Sequence, residues 1–267
     1  MILSFTKCHA NGNDFIIIHS EEFPEEVRTA QVISRLCHRH TGIGADGLFI
    51  VSPSDKYDFL LDYYNSDGSW ETLCANGSRC AVRFMHQYKS INNKTIFLAG
   101  DGPHVAKILK NGAISMQMKT PKYHRFKLLS PEGYDGYFID SGARHFVSES
   151  INLDDDFVFS AGRKIRNSHV FQPRGINVNF YRLADKHTVD IKTYEKGVEE
   201  VMSSCASGST AVVFHLSSNN CVEGPVLVRS SGGNLTLNFD AAWSNVWIEG
   251  PAEILFSGKF NLELISN

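Results

Sequence analysis

The chain writes nearly the same peptide twice. "CANGSRCAVR" begins at Cys74 and "CASGSTAVVF" at Cys205, and five of the ten positions are identical: Cys, Ala, Gly, Ser and Val. The neighbouring segments repeat in the same order. After the first copy, "HVAKILKNGAISMQM" reads as two strands about an Asn-Gly turn, and after the second, "VLVRSSGGNLTLNF" reads as two strands about Gly-Gly. Before them, "NGNDFIII" matches "INVNFYRL". Behind Cys74, Ala81, Phe84 and Met85 share one helical face, as do Val212, Val213 and Leu216 behind Cys205. The order predicts an α+β fold of two similar domains: residues 1–120, carrying Cys74, and residues 121–254, carrying Cys205. The run "EILFSGKFNLELI" has no counterpart inside the repeat, so residues 255–267 are expected to return to the first domain.

Composition narrows the functions such a chain can have. Its 267 residues are 42% hydrophobic and 21% charged, as in a folded protein with a substantial core. A formal net charge of −3 leaves no basic footprint for nucleic acid. No apolar run approaches the roughly 18 residues of a membrane helix, and the N-terminus lacks the layout of a signal peptide. Six cysteines are too sparse for a disulfide scaffold. We expect a cytoplasmic protein with reduced thiols and a small-molecule partner.

Most of the other motifs read as structure. "EEVRTAQVISRLCHRH" has helical spacing at Val27, Ala30, Ile33 and Leu36. "TGIGADG" follows that helix and precedes a strand, the reverse of a dinucleotide site, and so predicts a glycine-rich turn. "CHRH" lacks the further ligands a structural zinc site needs; no metal is expected, with Cys37 in the core and the histidines capping the helix. Cys80 lies on the far side of the helix headed by Cys74, and Cys8 and Cys221 read as buried small hydrophobes.

Cys74 and Cys205 differ in placement, each heading a helix. A thiol there meets unsatisfied N–H groups and the positive end of the helix dipole, which favour thiolate, and the same N–H groups suit a carboxylate. A cysteine protease has no use for a matched second thiol, and a disulfide oxidoreductase would space its thiols C-x-x-C. Two matched acid/base groups suit inversion at carbon, one thiolate removing a proton and one thiol returning another. The expected geometry is two pseudo-twofold domains facing across a cleft, with both helix N-termini holding a carboxylate and dispersing enolate-like charge.

The motifs "GNDF", "HTGIGADGL", "NSDGSWETLCANGSRC", "GINVNF" and "TYEKGVEEVMSSCASGS" resemble those of diaminopimelate epimerase, in order and spacing, over nearly the whole chain. The resemblance implies two domains, each a mixed or antiparallel sheet wrapped on a central helix. It implies a cofactor-independent epimerase, with no cofactor bound, that converts LL-diaminopimelate to the meso isomer in lysine and cell-wall synthesis, and a homodimer. By the same resemblance, the Cys205 thiolate takes the proton from the L-configured centre and the Cys74 thiol returns one. His145 and Glu195 support the thiols and the substrate ammonium. Asn13, Asn65 and Asn177 bind substrate, and the backbone N–H groups of Ala75, Asn76, Ala206 and Ser207 hold the reacting carboxylate.

The chain departs from the family pattern in four ways. Ala75 and Ala206 stand where Gly usually follows each cysteine, and "ASG" replaces Gly-Thr-Gly. Ala143 in "GARH" replaces a residue that is often Asn. Lys196 in "YEKG" replaces the Arg that grips the distal carboxylate, keeping the charge without the bidentate fork. The last two touch distal recognition. They leave open a cofactor-free racemase of another amino acid on the same fold, or an amino-acid-binding homologue without turnover.

Overall fold

Apolar residues run without alternation through the strands Asn13–His19 and Gly47–Ser52, as expected where both faces of a strand are covered. In the computed structural model, which describes residues 1–265, these strands are parallel neighbours, Phe15 opposite Gly47 and Ile18 opposite Ile50. Helix α1 (Ala30–Cys37) joins them, and its Ile33 and Leu36 bury Ile16, Ile18, Leu48 and Ile50. Successive side chains alternate across a strand, so Phe49 turns to the other face and meets helix α2 (Ala75–Gln87) at Gly77.

The chain divides into two units, Met1–Met116 with the described residues from Gly250 onward, and Gln117–Glu249. Across the first sheet the strands run Glu253–Asn261, Ile2–Ala10, Asn13–His19, Gly47–Ser52, Phe59–Asn65, Lys94–Ala99, Gly102–Ile108, Ile114–Met118. The third and fourth are parallel, as are the fifth and sixth, and the other neighbours are antiparallel. Each parallel pair needs a crossover, and the two crossovers carry α1 and α2. The terminal strand, the run with no counterpart in the repeat, pairs with Ile2–Ala10.

The second sheet has the same plan: Lys122–Leu129, Gly136–Asp140, Arg144–Glu149, Asn177–Asp185, Thr188–Glu195, Val226–Ser230, Gly233–Phe239, Val246–Gly250. Parallel pairs fall at the same two places. Helices α3 (Asp155–Asn167) and α4 (Ala206–Ser218) fill the two crossovers. α3 buries Val158, Ala161 and Ile165 against Val178, Phe180 and Tyr194. The architecture is α+β, and α2 and α4 are buried over most of their length.

This plan corrects one sequence correspondence. Counting from the sheet order, the strand of "INVNF" takes the place of Gly47–Ser52, and "NDFIII" takes the place of Arg144–Glu149. All of these are apolar central strands, so composition alone does not separate them.

Local differences have local causes. The first helix starts only at Ala30, because the Thr29 side chain accepts the Val32 N–H, and Glu25–Val27 forms a separate 3-10 turn. The glycine-rich segment is a turn between α1 and the strand Gly47–Ser52. A Cβ at Gly42 would strike the carbonyls of Arg35 and Leu36, and Gly44 has φ +82°. Cys37 and Cys8 are buried, but Cys221 is only half-buried, because α4 has ended and the chain reverses at Asn220 with φ 57°. His38 caps its turn by accepting the N–H groups of His40 and Thr41. Among the described residues no helix is long and apolar enough to cross a membrane.

Candidate active site

Cys74 and Cys205 occupy equivalent positions, the N-caps of α2 and α4, with extended backbone at φ −129°, ψ 113° and φ −134°, ψ 108°. An N-cap in this conformation turns its side chain over the first N–H groups of the helix, and the Cys205 sulfur accepts the Gly208 N–H at 3.4 Å. The glycine shared by both copies is required by close packing. A Cβ on Gly77 would overlap the Phe49 ring, and one on Gly208 would overlap the Asn179 amide oxygen.

In the first unit, the half-buried Cys74 has its sulfur 3.9 Å from Asn13 Oδ1. That oxygen also accepts from Asn76 Nδ2 at 3.3 Å, and Asn13 Nδ2 donates to Asp46 at 2.7 Å. Asp14 of "GNDF" is directed elsewhere, paired with Lys7 at 2.6 Å and Arg39 at 2.8 Å. Beneath the thiol, Arg79 is fully buried and donates to Asn11 Oδ1 and Asn76 Oδ1, each at 3.0 Å. Burial pushes its guanidinium down to about 10. Asn65 ends its strand at the same edge of the sheet, opposite Gly47, and its amide bonds Tyr63 and Ser69.

In the second unit, His145, Asn177 and Glu195 gather at one end of neighbouring strands, with His145 opposite Asn177. Asn177 Oδ1 accepts the Lys196 N–H at 2.8 Å, which fixes the turn after Glu195. The Lys196 side chain is exposed and Ala143 half-buried. The Glu195 carboxylate lies near enough to Cys205 for each to shift the other's titration. The Glu195 Oε2 atom is buried with no hydrogen-bond partner. His145, fully buried, meets Ser207 Oγ at 2.9 Å through Nε2 and the Asn179 amide at 3.0 Å through Nδ1. The residues predicted for the site therefore collect in two groups. Asn13, Asn65, Cys74, Ala75 and Asn76 are in the first unit, and His145, Asn177, Glu195, Lys196, Cys205, Ala206 and Ser207 are in the second.

The electrostatics revise one expectation. The helix start was expected to acidify both thiols, but burial pushes the Cys205 thiol up and repulsion from Glu195 adds to this. Hydrogen bonds from Ser207 and Gly208 oppose the rise. Burial also raises Glu195 to about 7, against lowering by the Cys205 hydrogen bond and Lys196. Glu195 can therefore take up or release a proton near neutral pH beside a thiol that holds its own, which is acid/base chemistry in a buried setting. Burial lowers His145 to about 3, so its ring is neutral.

Asn11, Asp46, Arg79 and Asn179 were not singled out in the sequence. Arg79 could have been, since it breaks the repeat where the second copy has Thr210. Asn179 lies two residues beyond Asn177, and so on the same strand face.

Fold comparison gives the class. The chain superposes with TM-score 0.74 on a hydroxyproline epimerase from Agrobacterium vitis solved with trans-4-hydroxy-L-proline, at 14% identity over 97% of this chain and 92% of that one. It matches a Bacillus anthracis phenazine biosynthesis protein of the PhzF family equally well, at 12% identity over 98% and 99%. At such identities the likeness is one of architecture, the two-domain α+β fold. Sequence gives the particular family. The diaminopimelate epimerase family model matches residues 5–124. The diaminopimelate epimerase of Flavobacterium psychrophilum is 37% identical over 94% of this chain and 97% of its own length, and that of Aquifex aeolicus 34% over 98% and 99%. The chain belongs to the diaminopimelate epimerase family, a family of isomerases.

Proposed function

We propose that this enzyme inverts one α-carbon of LL-diaminopimelate to give the meso isomer, with no cofactor, in the route to lysine and peptidoglycan. Inversion needs a proton taken from one face of the carbon and another delivered to the opposite face. In this reading Cys205 and Cys74 serve the two faces, Cys205 as thiolate base toward the L-centre and Cys74 as thiol acid, with roles exchanged in reverse. The observation that carries it is the equivalent placement of the two thiols, each capping a buried helix in a unit of the same topology.

The remaining roles follow from chemistry. Loss of the α-proton puts negative charge on the carboxylate, and N–H groups of Ala75, Asn76, Ala206 and Ser207 at the two helix starts would stabilise it. The buried, unpartnered Oε2 of Glu195 suits the substrate ammonium. When Cys205 gives its proton to Glu195, the net charge of the pair is unchanged, so the thiolate forms without a second negative charge beside it. His145 supports Cys205 from the side. Asn65 and Asn177 orient the substrate, and Lys196 meets its distal carboxylate. The proposal includes cytoplasmic location, homodimer assembly and one half-site per domain. Lys196 and Ala143 favour one further reading, a related amino acid with a different distal group.

The test is α-proton exchange and inversion measured with each diaminopimelate isomer and a panel of common amino acids. Cys74→Ala and Cys205→Ala should each abolish inversion with the circular dichroism spectrum intact, and Cys74→Ser should leave a trace. Wild-type turnover by either alanine variant would end the two-thiol reading.

A further inference from the structure

Around Cys205 the hydrogen bonds have a direction that can be deduced. Asn179 is fully buried, and its Nδ2 lies 3.1 Å from the Phe146 carbonyl, an acceptor only. Its Oδ1 accepts from Thr193 Oγ1 at 2.9 Å. The amide is thereby fixed, and Nδ2 must also donate to His145 Nδ1 at 3.0 Å. An Nδ1 that accepts carries no proton, so the neutral ring carries it on Nε2. That N–H points at Ser207 Oγ, 2.9 Å away. With one lone pair of Ser207 Oγ engaged, its hydroxyl hydrogen is available for the Cys205 sulfur at 3.6 Å. The Ser207 backbone is itself pinned, its carbonyl accepting from Ser141 Oγ at 2.7 Å.

We propose that Ser207 is a positioning residue that carries hydrogen-bond donation from His145 to the Cys205 sulfur, and so favours the thiolate that removes the substrate proton. This rests on the reading of Cys205 as proton carrier. His145 then acts through Ser207 rather than by touching sulfur, and its ring needs no charge to do so. Among titratable and charged groups on the strands packed against α4, Glu195 and His145 are those that bear on Cys205. Glu195 accepts the thiol proton, while Ser207 and the Gly208 N–H receive the charge left on sulfur. In the first half-site the equivalent position is Asn76, whose amide reaches Asn13 and Arg79. The two thiols are therefore tuned by different devices, the second by a hydroxyl.

The test uses the thiol itself, independent of any substrate. Carboxamidomethylation of Cys205 by iodoacetamide is followed against pH, quantified on its own peptide, in wild type, Ser207→Ala and Ser207→Thr. Removing a hydrogen bond to a charged sulfur should raise the Cys205 midpoint by about one to two pH units in the alanine variant. The threonine variant, which keeps the hydroxyl, should stay near wild type. Nitrogen-15 NMR of the wild-type enzyme should find His145 as the Nε2–H tautomer throughout neutral pH, a readout that survives even if a variant misfolds. An unchanged midpoint in a folded Ser207→Ala variant, or an Nδ1–H tautomer at His145, would overturn the proposal. An enzyme that fails to epimerise diaminopimelate while showing both signatures would sink the substrate assignment alone.

Discussion

Glu195→Gln should make the protein more stable at alkaline pH while impairing turnover. In the unfolded chain a glutamate ionises near 4.5, and in the fold Glu195 keeps its proton to about 7, mainly through burial. Between those values the native state binds more protons than the unfolded state, so stability falls as pH rises through the interval. The interval from 4.5 to about 7, at about 1.4 kcal/mol per decade in proton affinity, sets an upper bound of about 3.5 kcal/mol. Partial exposure of the residue and sharing of the proton with Cys205 reduce that to about 1.5–3 kcal/mol. Glutamine keeps the shape and can still accept from the thiol, but never carries the buried charge. Urea unfolding followed by tryptophan fluorescence at pH 4.5 and pH 8 gives the comparison. The variant should match wild type at the lower pH and exceed it by about 1.5–3 kcal/mol at the higher, if burial of a charge is the cause. Equal stability of the two proteins at pH 8 would refute the reasoning.

Other substitutions probe other contacts. Gly77→Ala places a methyl in the Phe49 ring, itself stacked on Tyr63 at 4.7 Å, and should cost about 1–3 kcal/mol despite alanine's helix preference, read as a fall in thermal midpoint. Arg79→Leu removes the donor shared by Asn11 and Asn76; losing both charge-assisted hydrogen bonds in a buried site should cost about 2–4 kcal/mol in urea, with Cys74 alkylation slowed because a buried cation is lost. Lys196→Ala should raise KM for diaminopimelate by roughly ten-fold or more, the worth of one charge-assisted hydrogen bond, with Lys196→Arg tolerated; an unchanged KM in the alanine variant would remove Lys196 from distal recognition.

How far the sequence discloses all this depends on what each residue touches. The two cysteine helices are legible because an N-cap, a small first turn and an apolar face are local properties. The Asn-Gly hairpin is equally local, and the strands Gly102–Ile108 and Ile114–Met118 pair as it predicts. Helix α3 has a readable apolar face in Val158, Ala161 and Ile165, but it lies in a segment the cysteine repeat does not mark. The pairing of the halves at Asn13 and Asn177 is not legible, since strand order depends on contacts far apart in the chain. The raised Cys205 thiol was beyond sequence for another reason: the helix terminus is local, whereas burial and the nearby Glu195 come from the fold and outweigh it. The hydroxyl bridge from His145 to Ser207 likewise joins residues 62 positions apart.

The central claim is a two-thiol inversion, and isotope placement tests it most directly. Wild-type enzyme is given LL-diaminopimelate in deuterium oxide and sampled before the back reaction contributes. Two proton carriers predict meso product with solvent deuterium at the inverted carbon, while unreacted LL substrate still holds protium there. Product that retains the substrate's own proton at that carbon would contradict the account, because a single group would then have taken the proton and given it back.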